Sequence, residues 1–298
     1  MSFKTFIYYC AICGGWAAFL AWVLVQGLGI RDVEPPFLRV VLIGGLLGGL
    51  TAGAVGAVDA VLNETGGQRY VRVLLCTALG GVAGLLGGLI GQAFFFVTPY
   101  LLFIGWIIAG TLIGASIGAF DVFRALAAHQ GMGAAGRKVL NGVYGGFLGG
   151  FVGGLFFGPL YMNEGAQRLF PHSSLAVALV VLGLCIGVLI GLAQVVLKEA
   201  WLKVEAGFRP GREVMLSKDE TTIGRAESCD IGLFGDSALE KLHARIERKN
   251  NQYFLADAET AGGTYLNEKS VRQPTPLRNG DQIRVGACVL RFGERAKR

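Results

Sequence analysis

Residues 141–158 read Asn141-Gly142-Val143-Tyr144-Gly145-Gly146-Phe147-Leu148-Gly149-Gly150-Phe151-Val152-Gly153-Gly154-Leu155-Phe156-Phe157-Gly158. Gly142, Gly146, Gly150, Gly154 and Gly158 recur at every fourth position, with Gly145, Gly149 and Gly153 beside them. Positions four apart stack along one face of an α-helix, so the helix has a smooth stripe bounded by Phe, Leu and Val. In water each glycine would weaken it by about 1 kcal/mol relative to alanine. In a bilayer the stripe has a use. Small residues let helix backbones approach closely where lipid removes the hydrophobic drive to associate. The stretch reads as a membrane helix made to touch its neighbours.

Charge locates its companions, because an ionised side chain at bilayer depth costs about 2.5–3.5 kcal/mol on insertion scales. Residues 5–30, 40–58, 73–120, 139–163 and 173–197 carry none. The third window is too long for one span, since about 20 residues cross the hydrocarbon, and it divides near Thr98-Pro99-Tyr100. Six spans result, near residues 5–29, 38–61, 71–97, 100–121, 138–161 and 174–197. The first is longer than the roughly 7–15 apolar residues of a signal peptide, so it is expected to remain in the protein.

The charge count divides the chain. Residues 1–206 hold 11 Lys/Arg and 8 Asp/Glu, and residues 207–298 hold 16 and 13. This excludes a single soluble enzyme domain and a disordered chain, leaving a membrane part and a small soluble module. The net charge of +6 is shared evenly between the two. In the module basic residues alternate with acids, so no nucleic-acid partner is expected. Loop cations set orientation. Lys4, Arg69, Arg72, Arg124, Arg137, Lys138, Lys198 and Lys203 fall on one side, and Arg31, Arg39 and Arg168 on the other. The expectation is a multi-pass protein of the cytoplasmic (inner) membrane, with both termini and the module in the cytoplasm.

The spans repeat. Gly14-Gly15, Gly80-Gly81 and Gly145-Gly146 open the odd-numbered spans, and Asp59, Asp121 and Gln194 close matching segments of the even-numbered ones. Three copies of a helical hairpin are expected. Glycine stripes also run through Gly45/Gly49/Gly53, Gly80/Gly84/Gly88, Gly110/Gly114/Gly118 and Gly183/Gly187/Gly191. Only the first span lacks one. Its Tyr8, Tyr9, Trp16, Phe19 and Trp22 suggest an outer, lipid-facing helix, on which Ala18 is expected to tolerate change. Some stripes are expected to serve subunit contacts in a homo-oligomer or membrane-protein complex, with lipid as the other neighbour.

Catalytic and transport chemistry are scarce. Asp59 and Asp121 sit at span ends, while a proton relay needs ionisable groups at mid-membrane depth. Gln92 and Gln194 suit interhelical hydrogen bonds. Cys10 and Cys13 have redox spacing inside a span without the βαβ context that it requires, and Cys76 and Cys185 act as small apolar residues. His129, His172 and His243 are isolated from one another and from Cys229 and Cys288 at zinc spacing. No metal, cofactor or enzyme activity is expected.

Beyond residue 198 the pattern changes. Residues 198–203 are expected to carry the sixth helix into a linker that ends at 211. Short strand-like runs follow at 212–216, 221–224, 230–233, 244–248, 253–256, 282–285 and 288–292, divided by turn residues, which describes a β-sandwich over 212–298.

These runs carry a family resemblance. Ile223-Gly224-Arg225, Cys229-Asp230-Ile231, Leu239-Glu240-Lys241-Leu242-His243-Ala244, Gly263-Thr264-Tyr265-Leu266-Asn267 and Leu277-Arg278-Asn279-Gly280-Asp281-Gln282-Ile283 stand in the order of a forkhead-associated (FHA) domain. The resemblance implies an eleven-stranded sandwich that binds phosphothreonine peptides at one end and catalyses nothing. It assigns phosphate contact to Arg225, whose guanidinium offers forked, charge-assisted hydrogen bonds. It makes Gly224, His243, Gly263, Thr264 and Asn267 the scaffold of the pocket. Departures surround that arginine. Glu240 and Lys241 stand where the family has serine and arginine, and Ala261 and Gly262 where it tends to have Ser/Thr and Asn. A carboxylate cannot donate to phosphate and repels it, and an ion pair between Arg225 and Glu240 is expected. Taken together, the expectation is a non-enzymatic membrane protein presenting an FHA domain to a cytoplasmic protein, with a degenerate phosphate pocket. The alternatives are a full phosphothreonine reader and a pore or transporter regulated by the domain.

Overall fold

The computed structural model describes residues 3–63, 67–98, 101–127, 132–162, 174–198, 200–216, 220–249 and 252–295. Pro99, Tyr100, His129, Arg168 and His172, named above, lie outside the described residues.

Among the described residues six helices are long and apolar enough to cross a bilayer. They are α1 (Phe3–Gly27), α2 (Pro36–Asn63), α3 (Gln68–Phe95), α4 (Leu102–Ala127), α5 (Gly133–Met162) and α6 (Ser174–Val196). Each covers one expected span. Helices α3, α4 and α5 run past the uncharged windows and take in Arg72, Arg124 and Lys138. The helices close a ring in chain order, each packed on the next and α6 back on α1, while α2, α4 and α6 also meet across it.

Three seams join successive hairpins, α2 to α3, α4 to α5 and α6 to α1, and all three share one register. Gly48 faces Gly80, Gly110 faces Gly146, and Gly183 faces Gly14. A β-carbon on any of these six would run into the facing carbonyl oxygen. The odd-helix members Gly14, Gly80 and Gly146 are 66 residues apart, which fixes the register of the hairpin repeat. This close approach is what small residues supply between membrane helices.

Helix α1 is not the smooth-stripe exception that its glycine content implies. Cys10, Gly14, Ala17, Ala18 and Ala21 are buried along one face. Ala18 is fully buried, with its Cβ 2.6 Å from a β-carbon built on Gly183. Alanine and cysteine stand here where the other helices use glycine, so a search for glycine alone overlooks the stripe. Tyr8 and Trp16 do face outward, 60% and 62% exposed, whereas Trp22 packs against the core.

Four ionic side chains are buried together near the ends of α2 to α5, and this is the main departure from the sequence reading. The Arg72 guanidinium is paired with both Asp59 and Asp121. Lys138 Nζ lies 2.7 Å from Asp59 Oδ2 and 2.9 Å from Asp121 Oδ2. Arg72 also stacks over the Phe120 ring at 4.7 Å. All four residues are buried. Arg72 and Lys138 were counted above as loop cations, but helix continuation carries them inside the ring, where two acids meet two bases. Gln194 Nε2 donates to the Lys138 carbonyl at 3.1 Å, an interhelical bond as expected.

The sandwich begins earlier than expected. Residues 200–206, assigned to the linker with its helical continuation, form strand β1 (Ala200–Ala206) instead. Ala200, Leu202 and Val204 alternate inward at period two, a strand pattern, and β1 pairs antiparallel with the last strand. The remaining strands are β2 (Glu213–Met215), β3 (Glu220–Gly224), β4 (Ile231–Gly232), β5 (Ala244–Lys249), β6 (Gln252–Asp257), β7 (Thr264–Leu266), β8 (Lys269–Ser270), β9 (Thr275–Pro276), β10 (Gln282–Val285) and β11 (Cys288–Glu294). They form a six-stranded sheet in the order β2-β1-β11-β10-β7-β8 and a five-stranded sheet in the order β4-β3-β5-β6-β9. Ile223, Ile231, Ile246, Leu255, Ile283, Leu290 and Phe292 fill the space between them.

Bundle and sandwich touch where the chain passes between them. The Phe3 amide donates to Glu213 Oε2 at 2.9 Å, and the Phe3 ring meets Trp201 edge-on with centroids 6.5 Å apart. Lys198 Nζ sits 3.3 Å from the Phe3 centroid and 4.3 Å from that of Trp201. Arg295 donates to the Val196 carbonyl at 3.1 Å. Both ends of the bundle's chain are thus fastened to one edge of the sandwich.

Candidate functional site

The loops at one end of the sandwich are laced by backbone hydrogen bonds. Strand β3 ends at Gly224, and the next two amides donate across to the β4–β5 loop, Arg225 N to Glu240 O at 2.8 Å and Ala226 N to Lys241 O at 3.0 Å. Gly224 is needed for this approach. A β-carbon there would collide with the Lys241 carbonyl and lie 3.0 Å from Leu242 Cα.

His243 is fully buried and ties three loops together. Its amide donates to Ile223 O at 2.8 Å. Its Nδ1 accepts from the Glu240 amide at 3.3 Å, and Nε2 lies 3.2 Å from Gly263 O. One nitrogen accepts and the other faces a carbonyl, which fits a neutral ring protonated on Nε2.

The β6–β7 loop is held from below by Asp257. Its Oδ1 accepts from the hydroxyls of Thr264 at 2.6 Å and Thr260 at 3.1 Å, and its Oδ2 from the Thr260 amide at 3.0 Å. Burial opposes ionisation of Asp257, but these donors outweigh it and hold its carboxyl below the usual carboxylate range. Gly263 closes the turn at φ +66°, a left-handed conformation suited to glycine.

Asp236 is a tether that sequence reading missed. Its carboxylate accepts from the Ala287 amide at 2.7 Å and the Ala238 amide at 2.9 Å, and these bonds lower its pKa. The Gly235-Asp236-Ser237 turn signal was the available hint. The β4–β5 loop is thereby fixed to the β10–β11 turn.

On this scaffold the candidate contact residues are exposed: Arg225, Glu240, Lys241, Ala261 and Gly262. The expected Arg225–Glu240 ion pair is not formed. Glu240 Oε1 instead accepts from the Ala261 amide at 2.9 Å. The Glu240 backbone is pinned by the Arg225 amide and His243, and from there its carboxylate reaches an unused amide on the neighbouring loop. Among the described residues no hydrogen bond or ion pair holds the Arg225 guanidinium. Asn267 stands apart from this group. It lies at the other end of β7, where Nδ2 donates to Asp281 at 2.8 Å and Oδ1 accepts from the Gln282 amide at 2.9 Å.

An exposed arginine over loops fastened by a buried histidine agrees with the sequence motifs, and residues 221–286 match the family model described as the FHA domain. The C-terminal module is an FHA domain. Over 93 residues this chain is 33% identical to an oxoglutarate dehydrogenase inhibitor of Corynebacterium jeikeium, covering 31% of this chain and 63% of that protein. It is 32% identical over 93 residues to the glycogen accumulation regulator GarA of Mycobacterium tuberculosis, covering 31% and 56%. A solved FHA structure, from work on phosphothreonine-dependent FHA domain interactions, aligns with 25% identity and a TM-score of 0.31, covering 33% of this chain and 99% of that one. The chain thus spans less than two thirds of these two curated relatives. Its helical region matches no family model.

Proposed function

We propose that this protein is a non-enzymatic, multi-pass membrane protein whose FHA domain recruits a cytoplasmic partner through the loop end that carries Arg225. The observation behind this reading is that guanidinium: exposed, without an acceptor among the described residues, and set on a backbone fastened by His243, Asp236 and Asp257. A partner segment carrying phosphothreonine suits it best, since a phosphate offers an oxygen pair to the guanidinium fork. That Arg225 is not engaged by Glu240 favours phosphate reading more than the sequence alone does. The Glu240 carboxylate and the small Ala261 and Gly262 keep phosphate preference modest.

Arg72 and Lys138 are buried and do not act as loop cations, yet the charge asymmetry between the two sides remains. Without Arg72 and Lys138, six cations remain on the module side against Arg31, Arg39 and Arg168 on the other. Reporter fusions after Val33, His129, Ala166 and Arg298 should read outside, inside, outside and inside. A cytoplasmic signal at Ala166 would end the six-span reading. For the domain, calorimetry with matched phosphorylated and unphosphorylated threonine peptides is the test. Binding that Arg225→Ala leaves unchanged would overturn the assigned site.

A further inference from the structure

The three seams share a register, and that register exposes a missing third of the charge network. Eleven residues beyond the seam glycines Gly48, Gly110 and Gly183 stand Asp59, Asp121 and Gln194; eight residues before their partners Gly80, Gly146 and Gly14 stand Arg72, Lys138 and Phe6. Two seams therefore end in an acid facing a base, and the α6–α1 seam ends in an amide and a phenyl ring. Phe6 and Gln194 are buried, as are their four charged counterparts. Helix α6 contains no charged residue and α1 only Lys4, so an ion pair between these two helices is ruled out by composition.

The neutral seam is also the one that the FHA domain holds. Glu213 accepts from the first described amide of α1, at Phe3. Lys198 and Trp201 pack on the Phe3 ring, and Arg295 bonds the last carbonyl of α6, at Val196. Helices α2 to α5 are tied by the cycle of Asp59, Arg72, Asp121 and Lys138; α1 and α6 leave that cycle and are tied by the domain.

We propose that the α1–α6 seam is the movable joint of the bundle, kept shut at its module end by the FHA domain rather than by ions, so that displacement of the domain opens this seam before the other two. Breaking a buried ion pair leaves uncompensated charge in an apolar interior, which holds the other seams closed. Opening the module end of the neutral seam strands no charge: it parts Phe6 from Gln194, Cys10 from Gly187 and Gly191, and the contacts to Glu213, Lys198, Trp201 and Arg295. Partner binding to the domain would act on the bundle through this joint. That consequence rests on the proposed recruitment, but the joint itself is tested without any partner.

The test is amide hydrogen exchange followed by mass spectrometry on the full chain in lipid nanodiscs. The variant Lys198→Ala/Glu213→Ala/Arg295→Ala removes the grip. Exchange over residues 3–10 and 190–196 should rise by about tenfold or more as the ends open locally, while residues 55–61, 117–125 and 135–142 keep the native rate. Adding Phe6→Lys and Gln194→Asp supplies the missing pair and should restore slow exchange at the α1 and α6 ends. The same pair placed in the otherwise native chain should slow those ends below the native rate. Equal loosening of all helix ends, no loosening at α1 and α6, or no slowing by the installed pair would each overturn the proposal.

Discussion

Glu240 Oε1 accepts a hydrogen bond from the Ala261 amide at 2.9 Å, joining the β4–β5 and β6–β7 loops directly beside Arg225. The bond fixes a negative charge at the rim of the site and occupies an amide that points toward it. The carboxylate therefore acts as an internal anion next to Arg225, the cation proposed to receive a phosphate.

Releasing that amide should change what the domain selects. Glu240→Ser removes the charge, and Ala261→Thr with Gly262→Asn adds donors. Gly262 has room for a side chain, because a β-carbon there meets only Ala238 O at 3.5 Å and His243 Cε1 at 3.7 Å, both ordinary contacts. Each new charge-assisted hydrogen bond is worth about 1.5–3 kcal/mol. The triple variant should prefer a phosphothreonine peptide over its unphosphorylated form by about tenfold or more, and Glu240→Ser alone by less. Calorimetry reads both; equal preference in the triple and native proteins would count against the role given to Glu240.

Acid should loosen the same end of the sandwich through Asp257. Its folded pKa is depressed by the Thr264 and Thr260 donors against the opposing effect of burial. Such a group stabilises the fold above its unfolded pKa of about 3.9, and the contribution disappears as pH falls through the folded value. Thermal melts recorded from pH 6 downward should therefore steepen in their decline below about pH 4. In Asp257→Asn this component should be absent, with a loss of about 1–2 kcal/mol at neutral pH.

The seam glycines should be intolerant of any side chain. Gly150→Ala drives a methyl into the Trp106 carbonyl, and Ala18→Leu overfills a fully buried site against Gly183. Each should cost about 1–3 kcal/mol, read as a lower melting temperature in detergent. Gly158→Ala is the control, since nothing lies within 4 Å of a β-carbon there, and it should be neutral or slightly stabilising.

Single and paired changes in the charge network should differ in sign of surprise as well as size. Arg72→Leu leaves Asp59 and Asp121 buried with too few partners, a loss of about 3–5 kcal/mol. Adding Asp121→Leu removes one stranded acid and leaves Lys138 to serve Asp59. The double variant should be more stable than the single one. Additive losses in the two would show that the four residues do not act as one network.

The sequence carried some of this molecule plainly. Uncharged windows marked all six helices and glycine stripes five of them, because both follow from apolar helices packed closely on one another. The motifs from Ile223 to Ile283 marked the sandwich, because its turns need particular residues such as Gly224 and Gly263. Other parts were hidden for physical reasons. Residues 198–203 follow a long helix and suggest its continuation, and the short inward alternation of Ala200, Leu202 and Val204 is completed as a strand by pairing with β11 and β2. Arg72 and Lys138 looked like loop cations, since charge alone does not say whether a partner acid waits inside. Glu240 was expected on Arg225, yet its pinned backbone favours the amide of Ala261, a choice that depends on loop geometry.

Closure of the ring bears on how copies of this protein could meet. The stripes on all three seams face inward along one chain, and those of α1 and α6 are occupied by each other. The outward surface of the helices is bulky instead: Tyr8 and Trp16 on α1, Leu74 and Leu89 on α3, Tyr144 and Leu155 on α5. A second copy approaching from the side would meet mostly rings and branched chains among the described residues, with Gly158 left open on α5. Glycine content, the usual guide to tight dimers between membrane helices, here describes how one chain shuts upon itself.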